Sequence, residues 1–272
     1  MDNRYIGVFD SGIGGLTTVR HLMKILPRER ILFFGDTART PYGSKSGETI
    51  RKFSFQIGDF LKAHDVKMMA VACNTISSVA LQDLRERYPD IPVVGTIGPT
   101  SRNIEKSCSK DDRIGILATK ATVSSGAYPK KIHEHAPEIQ HIYQKACPIF
   151  VPLIEEGVID HPIMDMAIRY YLDPFLKEYD INKLVLACTH YPLLSANLNR
   201  LYPGIEQISS SKEIAIAVKM ELEKRNMLAG PDNAKRNIFY ASDLSENFVR
   251  MIHSIFGSLE ENPDLEFKNL EL

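Results

Sequence analysis

Residues Val71-Ala72-Cys73-Asn74-Thr75 read VACNT: an apolar run, Met68–Ala72, ends on a thiol followed by two small polar residues. A short continuous apolar run is the pattern of a strand buried on both faces, as in a parallel sheet. Asn and Thr then suit the N-terminus of the helix that the spacing predicts over Thr75–Tyr88. The same arrangement returns far down the chain, where Leu186-Ala187-Cys188-Thr189-His190 reads LACTH.

Around these two points, strand-like and helix-like segments alternate. Tyr5–Phe9, Ile31–Phe34, Met68–Ala72 and Val93–Val94 read as buried strands, with helices over Gly15–Leu26, Gly47–His64 and Thr75–Tyr88. Ile50, Phe53, Ile57, Phe60 and Leu61 show the helical spacing of the second of these. The pattern restarts with strands Ile114–Leu117, Ile139–Tyr143 and Leu184–Leu186 and helices Ser124–His135 and Met164–Glu178. Ile6-Gly7-Val8-Phe9 resembles Ile114-Gly115-Ile116-Leu117, and the two cysteines follow these runs at similar offsets.

The expected fold class is therefore α/β: two pseudo-symmetric α/β domains with mainly parallel central sheets and a site in the cleft between them. The link Gly95-Thr96-Ile97-Gly98-Pro99-Thr100 sets the first boundary. Ser209-Ser210-Ser211 is expected to cap a helix over Lys212–Asn226. A polar loop at 229–235, strand Ile238–Tyr240, helix Leu244–Phe256 and an extended piece near 267–272 follow. This tail is too small to stand alone and is expected to return to the first domain. The expected domains are 1–97 plus 209–272, and 98–208.

The 272 residues are 44% apolar and 25% charged, with a formal net charge of −1. That is the balance of an ordinary globular protein and gives no general attraction to nucleic acid or to an anionic membrane. The apolar runs are too short to span a bilayer, and Met1-Asp2-Asn3-Arg4-Tyr5 shows no signal-peptide pattern. A cytoplasmic protein is expected. The four cysteines, Cys73, Cys108, Cys147 and Cys188, include no C-x-x-C pair, so free thiols are expected. Most free thiols are simply small buried apolar groups. The apolar helix faces leave room for a homodimer without separating interface from core.

Ligands of parallel α/β sheets bind at the carboxyl ends of the strands. Four segments place small polar residues there: Asp10-Ser11-Gly12-Ile13-Gly14-Gly15, the stretch Gly35–Gly43 containing Tyr42, Cys73-Asn74-Thr75, and Cys188-Thr189-His190. The first matches neither a dinucleotide fingerprint nor a Walker A loop. Its glycines free backbone N–H groups for an anion, and Ser11 adds a hydroxyl. The plain alternative is a tight turn. Asn74, Thr75 and Thr189 offer uncharged donors, or simply cap helices. A thiol at a helix N-terminus is expected to have a lowered pKa. Two such thiols on facing units suggest opposed acid and base, with Asp10 assisting one side and His190 the other.

These segments resemble the motif set of glutamate racemase: Asp10-Ser11-Gly12-Ile13-Gly14-Gly15-Leu16, Gly35-Asp36-Thr37-Ala38-Arg39 with Pro41-Tyr42-Gly43, Ala72-Cys73-Asn74-Thr75, and Cys188-Thr189-His190-Tyr191-Pro192-Leu193-Leu194. Ala118-Thr119 with Ala121-Thr122, and Ala146-Cys147-Pro148 with Phe150-Val151-Pro152, also match. The resemblance implies a cofactor-independent enzyme making D-glutamate for peptidoglycan. It implies Cys73 and Cys188 as the acid/base pair, Asp10 beside Cys73, and His190 with Glu155 beside Cys188. It also implies that Asp10, Ser11, Tyr42, Gly43, Asn74, Thr75, Thr189 and His190 contact substrate glutamate. No metal and no cofactor are expected, and no lysine falls in the strand-end motifs to hold pyridoxal phosphate as a Schiff base. The sequence departs from the family at Ile76, Ala187 and Gly98-Pro99-Thr100. Three alternatives stay open: a racemase acting on aspartate, a zinc site at Cys73, Cys188 and His190, and an amino-acid binder without turnover.

Overall fold

The computed structural model describes residues 1–231, 233, 236–244, 246–257 and 265–269. Parts of two expected features, the loop at 229–235 and the extended piece near 267–272, lie outside these residues.

The strands are β1 (Ile6–Asp10), β2 (Ile31–Gly35), β3 (Met68–Val71), β4 (Val93–Gly95), β5 (Ile114–Ala118), β6 (Ile142–Ala146), β7 (Lys183–Ala187), β8 (Glu206–Ser209), β9 (Asn237–Ala241) and β10 (Leu265–Asn269). They form a six-stranded sheet in the order β10-β9-β2-β1-β3-β4 and a four-stranded sheet in the order β6-β5-β7-β8. Among the described residues every pairing is parallel. Helices cross between successive strands, so the central strands are buried on both faces, as their unbroken apolar runs require.

The sheets share a plan. The run β2-β1-β3-β4 in one corresponds to β6-β5-β7-β8 in the other. Cys73 follows β3 and Cys188 follows β7, so each thiol ends the strand next to its sheet's first strand, β1 or β5. The sequence tail completes the six-stranded sheet. Phe239 of β9 is fully buried and meets Phe33 of β2 edge-on, with ring centroids 5.9 Å apart. Burial of such a ring contributes about 1.5–3 kcal/mol.

At the amino ends of the strands a buried ion pair, Lys67–Glu29 at 2.5 Å, ties further segments together. Lys67 Nζ also donates to the carbonyls of Asp2 and Met227, each at 2.7 Å, and Glu29 accepts from Ala229 N–H at 2.8 Å. These additional hydrogen bonds offset the cost of burying the two charges.

Several local expectations change. The helix expected over 75–88 is two helices, Asn74–Val79 and Leu81–Arg87, broken at Ala80. That over 124–135 is Lys120–Ser125 and Ala127–His135, separated by Gly126 at φ 63°, a left-handed conformation that glycine adopts without penalty. The link around Gly98-Pro99 is the first turn of a helix, Ile97–Ser107. A proline there sacrifices no hydrogen bond, because first-turn N–H groups have no intrahelical partner. Strand β6 shares Ile142 and Tyr143 with the expected Ile139–Tyr143 but begins three residues later, and Ile139 is a buried core residue before it. β8 and the helices Phe150–Glu155 and Ser195–Leu201 were not anticipated. Ser209 makes no side-chain capping bond. Ser210 and Ser211 turn their hydroxyls to Leu186 O at 2.9 Å and to Thr17 Oγ1 at 2.9 Å.

Candidate active site

The carboxyl ends of β1, β3, β5 and β7 meet around one small cavity. Ser11, Thr40, Pro41, Tyr42, Gly43, Cys73, Asn74, Thr75, Thr119, Val151, Cys188, Thr189 and His190 line it, and its volume is about 20 Å³. Both thiols are buried and free. The strand register accounts for their meeting: β1 pairs with β3 as β5 pairs with β7, so each thiol emerges beside the end of its sheet's first strand.

The two thiols have different neighbours. Cys73 Sγ lies 3.4 Å from Ser11 Oγ and accepts from the Ile76 N–H at 3.5 Å, capping the helix Asn74–Val79. Cys188 Sγ lies 3.9 Å from His190 Nδ1, and His190 Nε2 lies 3.0 Å from Glu155 Oε1. Glu155 is half-buried behind the imidazole, whereas Glu156 points to solvent.

Asp10 is fully buried at the end of β1. Its carboxylate accepts from Gly15 N–H at 3.0 Å and lies 3.4 Å from Thr189 Oγ1. Among the described residues no hydrogen bond joins Asp10 to Cys73, and Asp10 acts on that thiol through its charge. Tyr42 commits its hydroxyl to Asp36, which also accepts from Arg39 Nε at 2.7 Å and Ser242 Oγ at 2.8 Å. Gly43 lies against Thr119, where a Cβ would come within 2.5 Å of the threonine Cβ. Thr75 Oγ1 meets Thr119 Oγ1 at 2.9 Å.

The helix-dipole expectation for the thiols needs correction. Burial pushes the Cys73 thiol up to about 12, and the Asp10 charge adds to this; hydrogen bonds from Ser11 and Ile76 pull back too weakly to cancel it. Cys188 precedes no α-helix but a short 3₁₀ turn, Tyr191–Leu194. Burial also holds the Asp10 carboxyl above its usual range, against the His190 charge and the N–H groups of Gly15, Gly12 and Ser11.

At His190 the balance reverses. Burial lowers its pKa, but hydrogen bonds to Cys188 and Glu155 raise it further, to about 10. An imidazolium then donates one N–H to Glu155 and points the other at the Cys188 sulfur. Because this value lies above the ordinary 6.5, the contact adds stability that is complete below pH 6.5 and lost as pH rises through about 10. Glu155→Gln removes one raising partner. The His190 ring signal in an NMR titration is expected to move at lower pH in that variant, and an unchanged midpoint would show that Glu155 does not set it.

Every residue singled out from the sequence reaches this region, though Asp10 and Glu155 stand behind the lining rather than in it. Thr119 lines the cavity, although the sequence pattern assigns it no role. The available signal was its position, since it follows β5 as Ser11 follows the end of β1. Among the described residues no group of three or more His, Cys, Asp or Glu side chains could hold a metal ion, and no helix is long and apolar enough to cross a membrane.

The family model for Asp/Glu/Hydantoin racemase matches residues 14–218. A glutamate racemase from Persephonella marina is 41% identical over 268 residues, covering 98% of this chain and 97% of the relative. The crystal structure of glutamate racemase from Francisella tularensis in complex with D-glutamate is 36% identical, with a TM-score of 0.88 over 100% of this chain and 98% of the other. A glutamate racemase isoform from Bacillus anthracis is 32% identical, with a TM-score of 0.91 over 100% and 99% of the two chains.

Proposed function

The chain belongs to the Asp/Glu/Hydantoin racemase family, and from that premise we propose that it is a glutamate racemase that interconverts L- and D-glutamate with Cys73 and Cys188 as opposed acid and base. One observation carries this reading: two thiols from equivalent strand ends line a single cavity, each with a different set of partners.

In the proposed reaction one sulfur, as thiolate, removes the α-proton of bound glutamate. The other, as thiol, donates a proton to the opposite face of the same carbon. The electron pair left by the first proton forms the new C–H bond, and configuration inverts. The reverse reaction exchanges the two roles. In one direction Cys73, held protonated by burial, supplies the acid, and Cys188, beside the His190–Glu155 pair, supplies the base. Charge developing at the substrate carboxylate is met by uncharged donors, for which Ser11, Asn74, Thr75 and Thr189 are proposed. Asp10 stands against the Thr189 hydroxyl and keeps its orientation. Tyr42 and Gly43 wall the pocket. The proposed biological role is the supply of D-glutamate for peptidoglycan. The two sheets are proposed as the cores of two domains, 1–97 with 209–272, and 98–208.

Incubation of either glutamate enantiomer in D₂O tests the reading. The opposite enantiomer is expected to accumulate with one deuterium at the α-carbon. Binding without deuterium incorporation would leave an amino-acid binder instead. Turnover of aspartate with glutamate untouched would move the substrate assignment.

A further inference from the structure

We propose that Tyr128 is a positioning residue for the reaction proposed above, fixing the side-chain amide of Asn74 so that an N–H remains for the substrate carboxylate. Tyr128 lies on the helix Ala127–His135, outside the cavity lining, and is fully buried. Its hydroxyl donates to Asn74 Oδ1 at 2.6 Å. Asn74 Nδ2 donates to Ser210 Oγ at 3.0 Å, and Ser210 donates to Leu186 O at 2.9 Å. All four residues are buried.

The proton count sets the direction of this chain. A serine hydroxyl has one proton, and that of Ser210 goes to a carbonyl that can only accept. Ser210 therefore accepts from Asn74, and the nitrogen of the amide must face it. The oxygen then faces Tyr128, which must donate. A flipped amide would set its oxygen against a serine with no proton left to give. It would also set its NH₂ against the Tyr128 hydroxyl and turn that donor away to a neighbouring hydroxyl. With both ends held, one Nδ2 hydrogen is used by Ser210 and one is left. Asn74 lines the cavity directly after Cys73, so the remaining N–H is the group offered to a carboxylate. No proton moves along the chain; it acts by orientation alone.

Its placement carries a second consequence. Asn74 follows one thiol, and Leu186 lies two residues before the other. Two side chains, Asn74 and Ser210, thus join the two thiol-bearing segments through hydrogen bonds, and Tyr128 holds the Asn74 end. Thr100, Ser210 and Thr96 also bring side-chain hydroxyls to the Tyr128 hydroxyl.

A double-mutant cycle in the full chain tests this. Tyr128→Phe keeps the ring and removes only the donor. It is expected to lower kcat/KM about tenfold, the size of one buried hydrogen bond. In an Asn74→Ala background the same change is expected to have no further effect. Effects that multiply, or a Tyr128→Phe variant within twofold of wild type, would overturn the inference. Should Tyr128→Phe fail to fold, Ser210→Ala replaces it in the same cycle, with a loss that again disappears when Asn74 is alanine. Orientation is also read without substrate. Hydrogen exchange of the Asn74 side-chain amide is expected to quicken at least about tenfold in the variant. Unchanged exchange overturns the inference whether or not the chain turns over glutamate, whereas a wild type that exchanges slowly yet racemises nothing counts against the proposed function alone.

Discussion

Cys73→Ser and Cys188→Ser are each expected to lose racemisation by about 10³-fold or more, since general acid–base catalysis typically contributes 10²–10⁴ and inversion needs both partners. A serine hydroxyl neither gives up nor returns a proton at neutral pH as a thiol does. The two variants are not expected to fail alike. In Cys73→Ser, Cys188 keeps the imidazole at 3.9 Å and Glu155 behind it. It is expected to go on exchanging the α-proton of one enantiomer with solvent while making none of the other. In Cys188→Ser the surviving thiol is the one that burial and Asp10 push up to about 12. Its one-sided exchange is expected to be slower. Chiral chromatography of the product with mass detection of deuterium separates the outcomes. Racemisation at the wild-type rate in either variant would sink the two-thiol scheme.

The second large effect is expected from a single methyl group. Gly14 sits where the turn after β1 meets the segment after β7, and a Cβ there would fall 2.4 Å from Thr189 Oγ1 and 2.5 Å from His190 Nδ1. Neither neighbour can yield cheaply. Thr189 lies against Asp10, and its carbonyl accepts from Thr17 at 3.1 Å. The His190 ring is held between Cys188 and Glu155. Gly14→Ala must displace the imidazole from its sulfur, and misplacement by about 1 Å can cost about 10²-fold in rate. The expected result is a folded protein with kcat/KM reduced about a hundredfold and a His190 titration moved toward lower pH. Wild-type kinetics in this variant would mean that the imidazole position does not matter.

The parts of the molecule legible in the sequence are those in which local pattern and burial agree. β3 and β7 are central strands with apolar side chains on both faces, so VACNT and LACTH announced themselves. β6 and β8 are edge strands. Residues such as Gln144, Lys145, Glu206 and Gln207 face partly outward, and no apolar run remains to read. The site residues found by position were those at or just past strand ends: Asp10, Ser11, Cys73, Asn74, Cys188 and His190. Thr119 obeys the same rule but carried no charge or thiol to draw notice. Glu155 came from resemblance alone, because its contact with His190 spans 35 residues. The high pKa of Cys73 was illegible for a related reason. Helix position is local and can be read, whereas desolvation depends on what the rest of the fold lays over the sulfur.

The strand order also has a consequence for the time course of synthesis. All four strands of the smaller sheet come from one uninterrupted stretch, residues 114–209, which leaves the ribosome before β9 and β10 exist. Domains form as their chain becomes available, so the later-numbered sheet can close while the earlier-numbered one still waits with β2 as an open edge. β9 then docks on β2, and Ser242, one residue past its end, reaches Asp36, the acceptor that holds Tyr42. A wall of the pocket is thus pinned by one of the last parts of the chain to be made. A nascent chain stopped short of this strand would own both sulfurs and nearly all their neighbours, and still lack the bracket that holds the pocket wall in place.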